Sequence, residues 1–278
     1  MYPGFRHLRR FGLKGRPDGR RSPVRALRRP GGENEFQRLR KYVSGDSYRH
    51  IDWRATARKG HVITREFGQE SNQNVIFLVD AGRMMSAACG ELTAFDHALN
   101  AALAMGHAAL RNGDRVGMVV YDHRIRVWLP PKGGVRSAQR LIRGTYDVFP
   151  TLNESNHDAA FRWLAQHVRQ RSLVVCLTSV VDQVNVDLSN RLVRGLVGRH
   201  LPMCVWLRDP DVDRLLDAPA ESSGDVYVRG AAAELSHWRE ASLAGLRRRG
   251  ALVVDCTPDE LSARLLERYL EVKARRLL

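Results

Sequence analysis

The stretch VIFLVDAGRMM, residues 75–85, decides the fold. Five consecutive apolar residues, Val75 to Val79, lead into Asp80 and a loop that carries Gly82. A short apolar run without alternation reads as a strand buried on both faces, the pattern of a central parallel strand. A carboxylate ending such a strand is destabilising unless it is paired, hydrogen-bonded or metal-bound. Ligands of open α/β sheets gather beyond the carboxyl ends of the strands, so the loop after Asp80 is the first place to inspect.

Downstream, apolar runs recur at Val116–Tyr121, Ile125–Leu129, Leu173–Leu177, Pro202–Leu207 and Ala251–Val254. Helix-like stretches lie between and after them at 93–111, 134–146, 158–171, 186–199, 231–249 and 258–276. This alternation predicts an α/β fold: a doubly wound, mostly parallel sheet with helices on both faces. The run Tyr121-Asp122-His123-Arg124 reads as a tight hairpin that adds one antiparallel edge strand. Tyr146, Trp163, Trp206 and Trp238 fall in apolar patterns and are expected in the core.

Upstream lies EFQRLRKYVSGDSYRHIDWRATARKGHVITREF, residues 35–67, which concentrates Arg40, Asp46, Arg49, Asp52, Trp53, Arg54 and Arg58. Asp46, Arg49 and Asp52 recur every three residues. They would share a helix face, or form a loop network in which arginine donates bidentately to carboxylate. Trp53 could cover that network and Arg58 extend it. Two roles follow: a structural clamp on the following domain, or a surface that binds a partner.

The chain has 278 residues, 44% of them apolar, enough for a sizeable core without staples. The net charge of +15 is the compositional outlier. Residues 1–34 hold ten Lys/Arg against Asp18 and Glu33, so about half of that excess sits in a Gly- and Pro-rich stretch read as a flexible basic arm, 1–32. Such an arm suits anionic lipid, at ~1 kcal/mol per residue near the surface. It also suits nucleic-acid phosphates, but aromatic interleaving is thin (Phe5, Phe11), no stacking platform is recognisable and nucleic acid is disfavoured. Cys89, Cys176, Cys204 and Cys256 are scattered without a CxxC pair and read as reduced core residues of a cytoplasmic protein. Ser44 and Ser47 lie near His50, but no Gly-x-Ser-x-Gly elbow or phosphate loop accompanies them, so no enzyme is expected.

The run EF..LR.Y..GD..R.IDW.A.AR, followed by VIFLVDAGRMM, resembles the domain-of-unknown-function 58 family. The terminal GALVVD at 250–255 and YLEVKAR at 269–275 agree with it. The resemblance spans 33–278 and implies a von Willebrand factor type A-like domain associated with MoxR-type AAA+ ATPases. It divides the chain into the arm 1–32, the charged segment 33–72 packed on the main domain, and the type A-like domain 73–278. Family members often carry two spanning helices ahead of this region, so a membrane-anchored longer form is the alternative to a cytoplasmic chain.

Type A domains commonly hold a divalent cation through an Asp-x-Ser-x-Ser loop, a threonine and a further aspartate. By that resemblance Asp80 matches the first aspartate, Gly82 and Met84 replace the serines, and Ser155 takes the threonine position. Ser179 stands at the last aspartate, with Asp182 three residues on. Asp80 and Ser155 are remnant positions of a degenerate site. Magnesium wants near-octahedral oxygen ligation, so no metal is expected and Asp80 is read as a structural acceptor. The implied function is a non-enzymatic interaction module serving a MoxR-type ATPase and a client protein. The alternative is an anionic membrane or nucleic-acid binder acting through residues 1–32.

Overall fold

The structure, a computed structural model, describes residues 36–43, 46, 48–67, 72–134, 136–179, 193–220 and 222–278. The arm 1–32, the Ser44, Gly45 and Ser47 cluster, Asp182 and the first half of the expected 186–199 helix, 186–192, lie outside the described residues. The chain divides into two compact units between Ser71 and Asn72.

In the smaller unit, strand β1 (Phe36–Lys41) pairs antiparallel with β2 (Ile63–Phe67). Between them lie a 3-10 turn, Tyr48–His50, and helix α1, Trp53–Lys59. Asp52 starts the helix by accepting the Ala55 N–H at 2.9 Å. Gly60, at φ 67°, ends it in the left-handed conformation that glycine adopts without strain. The Thr56 hydroxyl accepts the Ile63 N–H at 2.9 Å and ties the helix to β2. Ile51, Ala55 and Ile63 form the buried side of this small unit.

The larger unit is built on a six-stranded sheet. Its strands are β3 (Asn74–Asp80), β6 (Arg115–Tyr121), β7 (Ile125–Lys132), β8 (Ser172–Thr178), β9 (Leu201–Leu207) and β10 (Leu252–Cys256). They lie in the order β10-β9-β8-β3-β6-β7, all parallel except the edge hairpin β6–β7. A two-stranded ribbon, β4 (Ala88–Cys89) with β5 (Leu92–Thr93), follows the first loop.

All seven residues of β3 are buried. Val75, Phe77 and Val79 enter one core with α2 (Ala94–Arg111) and the C-terminal helix α7 (Leu261–Arg275). Ile76 and Leu78 enter the opposite core with Ala160 and Leu164 of α4 (His157–His167). The sheet is covered on both faces, and an uninterrupted apolar run is what a doubly covered central strand requires. Asp96, at the start of α2, closes a capping box with Thr93.

Three differences from the sequence reading have local causes. Helix α6 runs over Ser223–Arg248 rather than from 231, because Ser222 and Asp225 form a capping box well upstream. Helix α5 (Pro210–Asp217), capped by Asp209, has only two turns and was not foreseen. Trp206 is in the core as expected and Trp163 and Trp238 pack partly against it, but Tyr146, just after helix α3 (Arg136–Thr145), is 60% exposed. Among the described residues no helix is long and apolar enough to cross a membrane.

At the amino end of the sheet, Asp114 precedes β6 and anchors α7. Its carboxylate accepts from Lys273 Nζ at 3.0 Å, the Tyr269 hydroxyl at 2.8 Å and the Gln73 N–H at 3.3 Å. Asp114 and Lys273 side chains are 0% and 6% exposed, a buried ion pair whose acceptor is fully used. Burial, and then the Asp114 charge, hold the Tyr269 phenol far above its usual range, so it stays a hydrogen-bond donor.

Candidate functional site

Asp80 lies at the carboxyl end of β3 and is 1% exposed. Its Oδ1 accepts the Gly82 N–H at 2.8 Å and the Ser155 hydroxyl at 2.5 Å. Its Oδ2 accepts the Thr178 hydroxyl at 2.7 Å. Three segments therefore meet on one carboxylate: its own loop, the α3–α4 connection and the end of β8. Ser155, which the family resemblance sets at the threonine position, donates its hydroxyl to Asp80. Thr178 was missed: the register places Leu177 beside Val79, so the next residue on each strand brings this hydroxyl beside Asp80.

Gly82 is where an adhesion-type loop carries its first serine. A Cβ there would lie 2.0 Å from Ser155 Oγ and 2.9 Å from the Asn153 carbonyl oxygen. The hydroxyl of Ser155 thus occupies the space that a side chain at 82 needs. Gly82 and Met84 offer no side-chain oxygen, and both oxygens of Asp80 already face protein donors. These residues do not fit an ion that wants near-octahedral oxygen ligation. Among the described residues no group of three or more His, Cys, Asp or Glu is placed to hold a metal.

A second buried carboxylate, Asp122, lies just past β6. It accepts from the Arg124 N–H at 3.1 Å, Arg126 at 3.0 Å and the Thr151 hydroxyl at 3.2 Å. Burial pushes Asp122 up, but these donors more than offset it and the carboxyl sits below its usual range. Asp80 and Asp122 together hold the α3–α4 connection through Ser155 and Thr151. Its backbone is fixed as well: Thr151 N–H donates to the Ala81 carbonyl, Arg83 N–H to Asn153 and Asn156 N–H to Asp122. Leu152, between the Thr151 and Asn153 anchors, is 80% exposed, and Phe149, two residues ahead of Thr151, is 64% exposed, alongside Tyr146. The Thr151 and Ser155 hydroxyls of this loop are turned to the protein, while Phe149 and Leu152 meet water. Reading Tyr146 as core failed because an apolar residue in sequence carries no sign of which way an anchored loop turns it.

The charged segment is organised differently from the spacing expectation. Asp46 takes a two-pronged bond from Arg40, at 2.7 and 2.8 Å, and the Val43 N–H at 2.9 Å. Asp52 caps α1 and takes Arg65 Nε at 3.0 Å. The guanidiniums thus come from β1 and β2, and Arg49 bonds neither carboxylate among the described residues. Capping is the reason: Asp52 precedes the helix, so Asp46, Arg49 and Asp52 never share a helical face. Trp53 is 68% exposed and covers neither pair. Arg58 Nε donates to the Arg54 carbonyl at 3.3 Å on an exposed surface.

Arg40 first, then the Val43 amide, hold the Asp46 carboxyl below its usual range, and the Ala55 amide with Arg65 does the same for Asp52. Depressed carboxyls stabilise above the unfolded pKa of about 4 and lose that stabilisation as pH falls through the folded value. Amide protection across residues 48–59 should therefore hold from about pH 7 to pH 5 and fall below about pH 4. Asp46→Asn should lower protection at neutral pH and flatten this acid limb. An unchanged acid limb in that variant would exclude the assignment.

The profile described as "Protein of unknown function DUF58" matches residues 38–249. The chain belongs to the DUF58 family. Among curated relatives of this DUF58 chain, the uncharacterized protein Rv1480 of Mycobacterium tuberculosis is 25% identical over 206 residues, 73% of this chain and 62% of that protein. The chain therefore spans less than two thirds of that relative's length. The uncharacterized protein YeaD of Bacillus subtilis is 29% identical over 105 residues, 38% of this chain and 24% of that protein. Solved structures similar to this DUF58 protein include the SpRpn10 VWA domain, at TM-score 0.44 and 11% identity over 71% of this chain and 95% of that one. An aerotolerance-related membrane protein of Bacteroides fragilis has TM-score 0.46 and 13% identity over 74% of this chain and all of that one. BatB of Bacteroides thetaiotaomicron has TM-score 0.43 and 14% identity over 73% and 100%.

Proposed function

We propose that this DUF58 chain is a non-catalytic interaction module that works with a MoxR-type AAA+ ATPase in the assembly or maturation of other complexes, without a bound cation. The observation that carries the reading is the closed Asp80 carboxylate, which fixes the α3–α4 connection with Phe149 and Leu152 outward. Exposed apolar side chains on a pre-ordered backbone are economical for protein contact, because little conformational entropy remains to be lost on binding. The hydroxyl protons of Ser155 and Thr178 are committed to holding loops together, so no catalytic residue is proposed. The reading takes the chain as cytoplasmic, with an anchored longer form as its alternative.

A purified, nucleotide-free MoxR-type AAA+ ATPase is the probe. Joint replacement Phe149→Ser and Leu152→Ser should weaken its binding at least about tenfold, the scale of a buried interface anchor. Binding of the unsubstituted chain should be the same in EDTA as in magnesium. Undiminished binding by the double variant, or loss in EDTA, would contradict the proposal.

The charge of +15 supports a second reading, attraction of residues 1–32 to an anionic surface. Deleting 1–32 should then abolish binding to phosphatidylserine vesicles while leaving the ATPase contact intact.

A further inference from the structure

We infer that the outward face of α1, with the turn before it, is a docking site for an acidic amphipathic protein segment. The inference rests on the reading of the chain as an interaction module and assigns a second contact, separate in residues from the Phe149–Leu152 loop.

The local charge balance is the first argument. Within 38–65 the only acidic residues are Asp46 and Asp52. Both are consumed internally: Asp46 by Arg40 and the Val43 amide, Asp52 by the helix cap and Arg65. What remains toward solvent is cationic, with Arg49, Arg54 and Arg58 all exposed.

Helix geometry is the second argument. Ala55 is buried and the Thr56 hydroxyl bonds back to Ile63, which fixes the inward side of α1. Residues at i, i+1, i+4 and i+5 are then neighbours on the opposite side, and here they are Trp53, Arg54, Ala57 and Arg58. A large indole beside two guanidiniums one helical turn apart matches a segment with carboxylates at the same spacing and an apolar residue beside them. Trp and Arg supply most of the binding energy in known contacts of this kind.

Nucleic acid would be served by the same charge but not by the remaining chemistry. Exposed Val43 and Val62 are adjacent through the Tyr42 N–H bond to the Val62 carbonyl. Aliphatic side chains add contact area for a protein and no stacking for a base. Tyr48, 76% exposed, is already stacked on Tyr42 at 5.9 Å, so one ring face is taken.

The test uses the full chain and a fluorescein-labelled 16-residue peptide with Glu and Leu at helical spacing. Two comparison probes are a peptide of equal charge with Ser for Leu and a single-stranded oligothymidylate of equal length. The Glu/Leu peptide should bind at least about tenfold more tightly than the Glu/Ser peptide. Arg54→Glu with Arg58→Glu, and separately Trp53→Ala, should each lower that affinity about tenfold without moving the melting temperature. The Phe149→Ser, Leu152→Ser chain should bind the peptide as well as the unsubstituted protein, which separates failure here from failure of the ATPase reading. Equal affinity for the two peptides would show charge attraction to the arm alone and overturn the proposal. So would α1 variants that bind undiminished, or oligothymidylate that binds more tightly and loses affinity in the same variants.

Discussion

Asp114→Ala is expected to lower the stability of the larger unit by about 3–5 kcal/mol, the scale for removing one partner of a buried ion pair. The loss has three parts. Lys273 is left as a buried cation, the Tyr269 hydroxyl loses its acceptor, and the Gln73 amide loses one of the bonds at the amino end of β3. Tyr269 and Lys273 lie on α7, which packs against α2, so the whole C-terminal helix should loosen. Lys273→Met alone should also be severe, since it leaves the carboxylate uncompensated. Asp114→Ala with Lys273→Met should lose clearly less than the two single changes summed, because no buried charge then remains. Urea unfolding of the four proteins checks this. Simple addition of the single losses would show that the pair is not coupled.

Gly82→Ser is expected to be the second large effect, at about 1–3 kcal/mol for overpacking a site with no room. The new Cβ would fall 2.0 Å from Ser155 Oγ, inside any allowed contact. Displacing Ser155 would break its bond to Asp80 and free one anchor of the loop that presents Phe149 and Leu152. Ser155→Gly should relieve the 2.0 Å clash and leave only the 2.9 Å approach to the Asn153 carbonyl, so the two changes together should lose at least about 1 kcal/mol less than their sum. ATPase binding should follow the same order if the loop is the contact. An additive pair would mean that Gly82 and Ser155 do not share that space.

What the sequence revealed depended on how local each cause is. The run Val75–Val79 announced a doubly covered strand because burial on both faces leaves no polar alternation, and β3 is that strand. The hairpin at Asp122 was legible because four polar or aromatic residues separate two apolar runs. Asp80 stood out because a carboxylate ending a buried strand demands partners, and Ser155 followed from the family pattern. Thr178 did not, since a hydroxyl at a strand end becomes informative only when sheet register sets it beside Asp80. The charged segment was misleading for a related reason. A fork joins Arg40 to Asp46 and a single bond joins Arg65 to the helix-capping Asp52, whereas spacing suggested Arg49. Removing Arg49 from that network is what leaves it available on the surface with Trp53, Arg54 and Arg58.

Asp80 is closed by protein donors, and the proposed interaction module presents the carboxyl edge of its sheet without a cation. Calorimetric titration of manganese, and separately magnesium, into the folded chain tests it most directly. No saturable heat is expected up to millimolar ion, with an unchanged melting temperature. A stoichiometric binding curve that disappears in Asp80→Ala would contradict it.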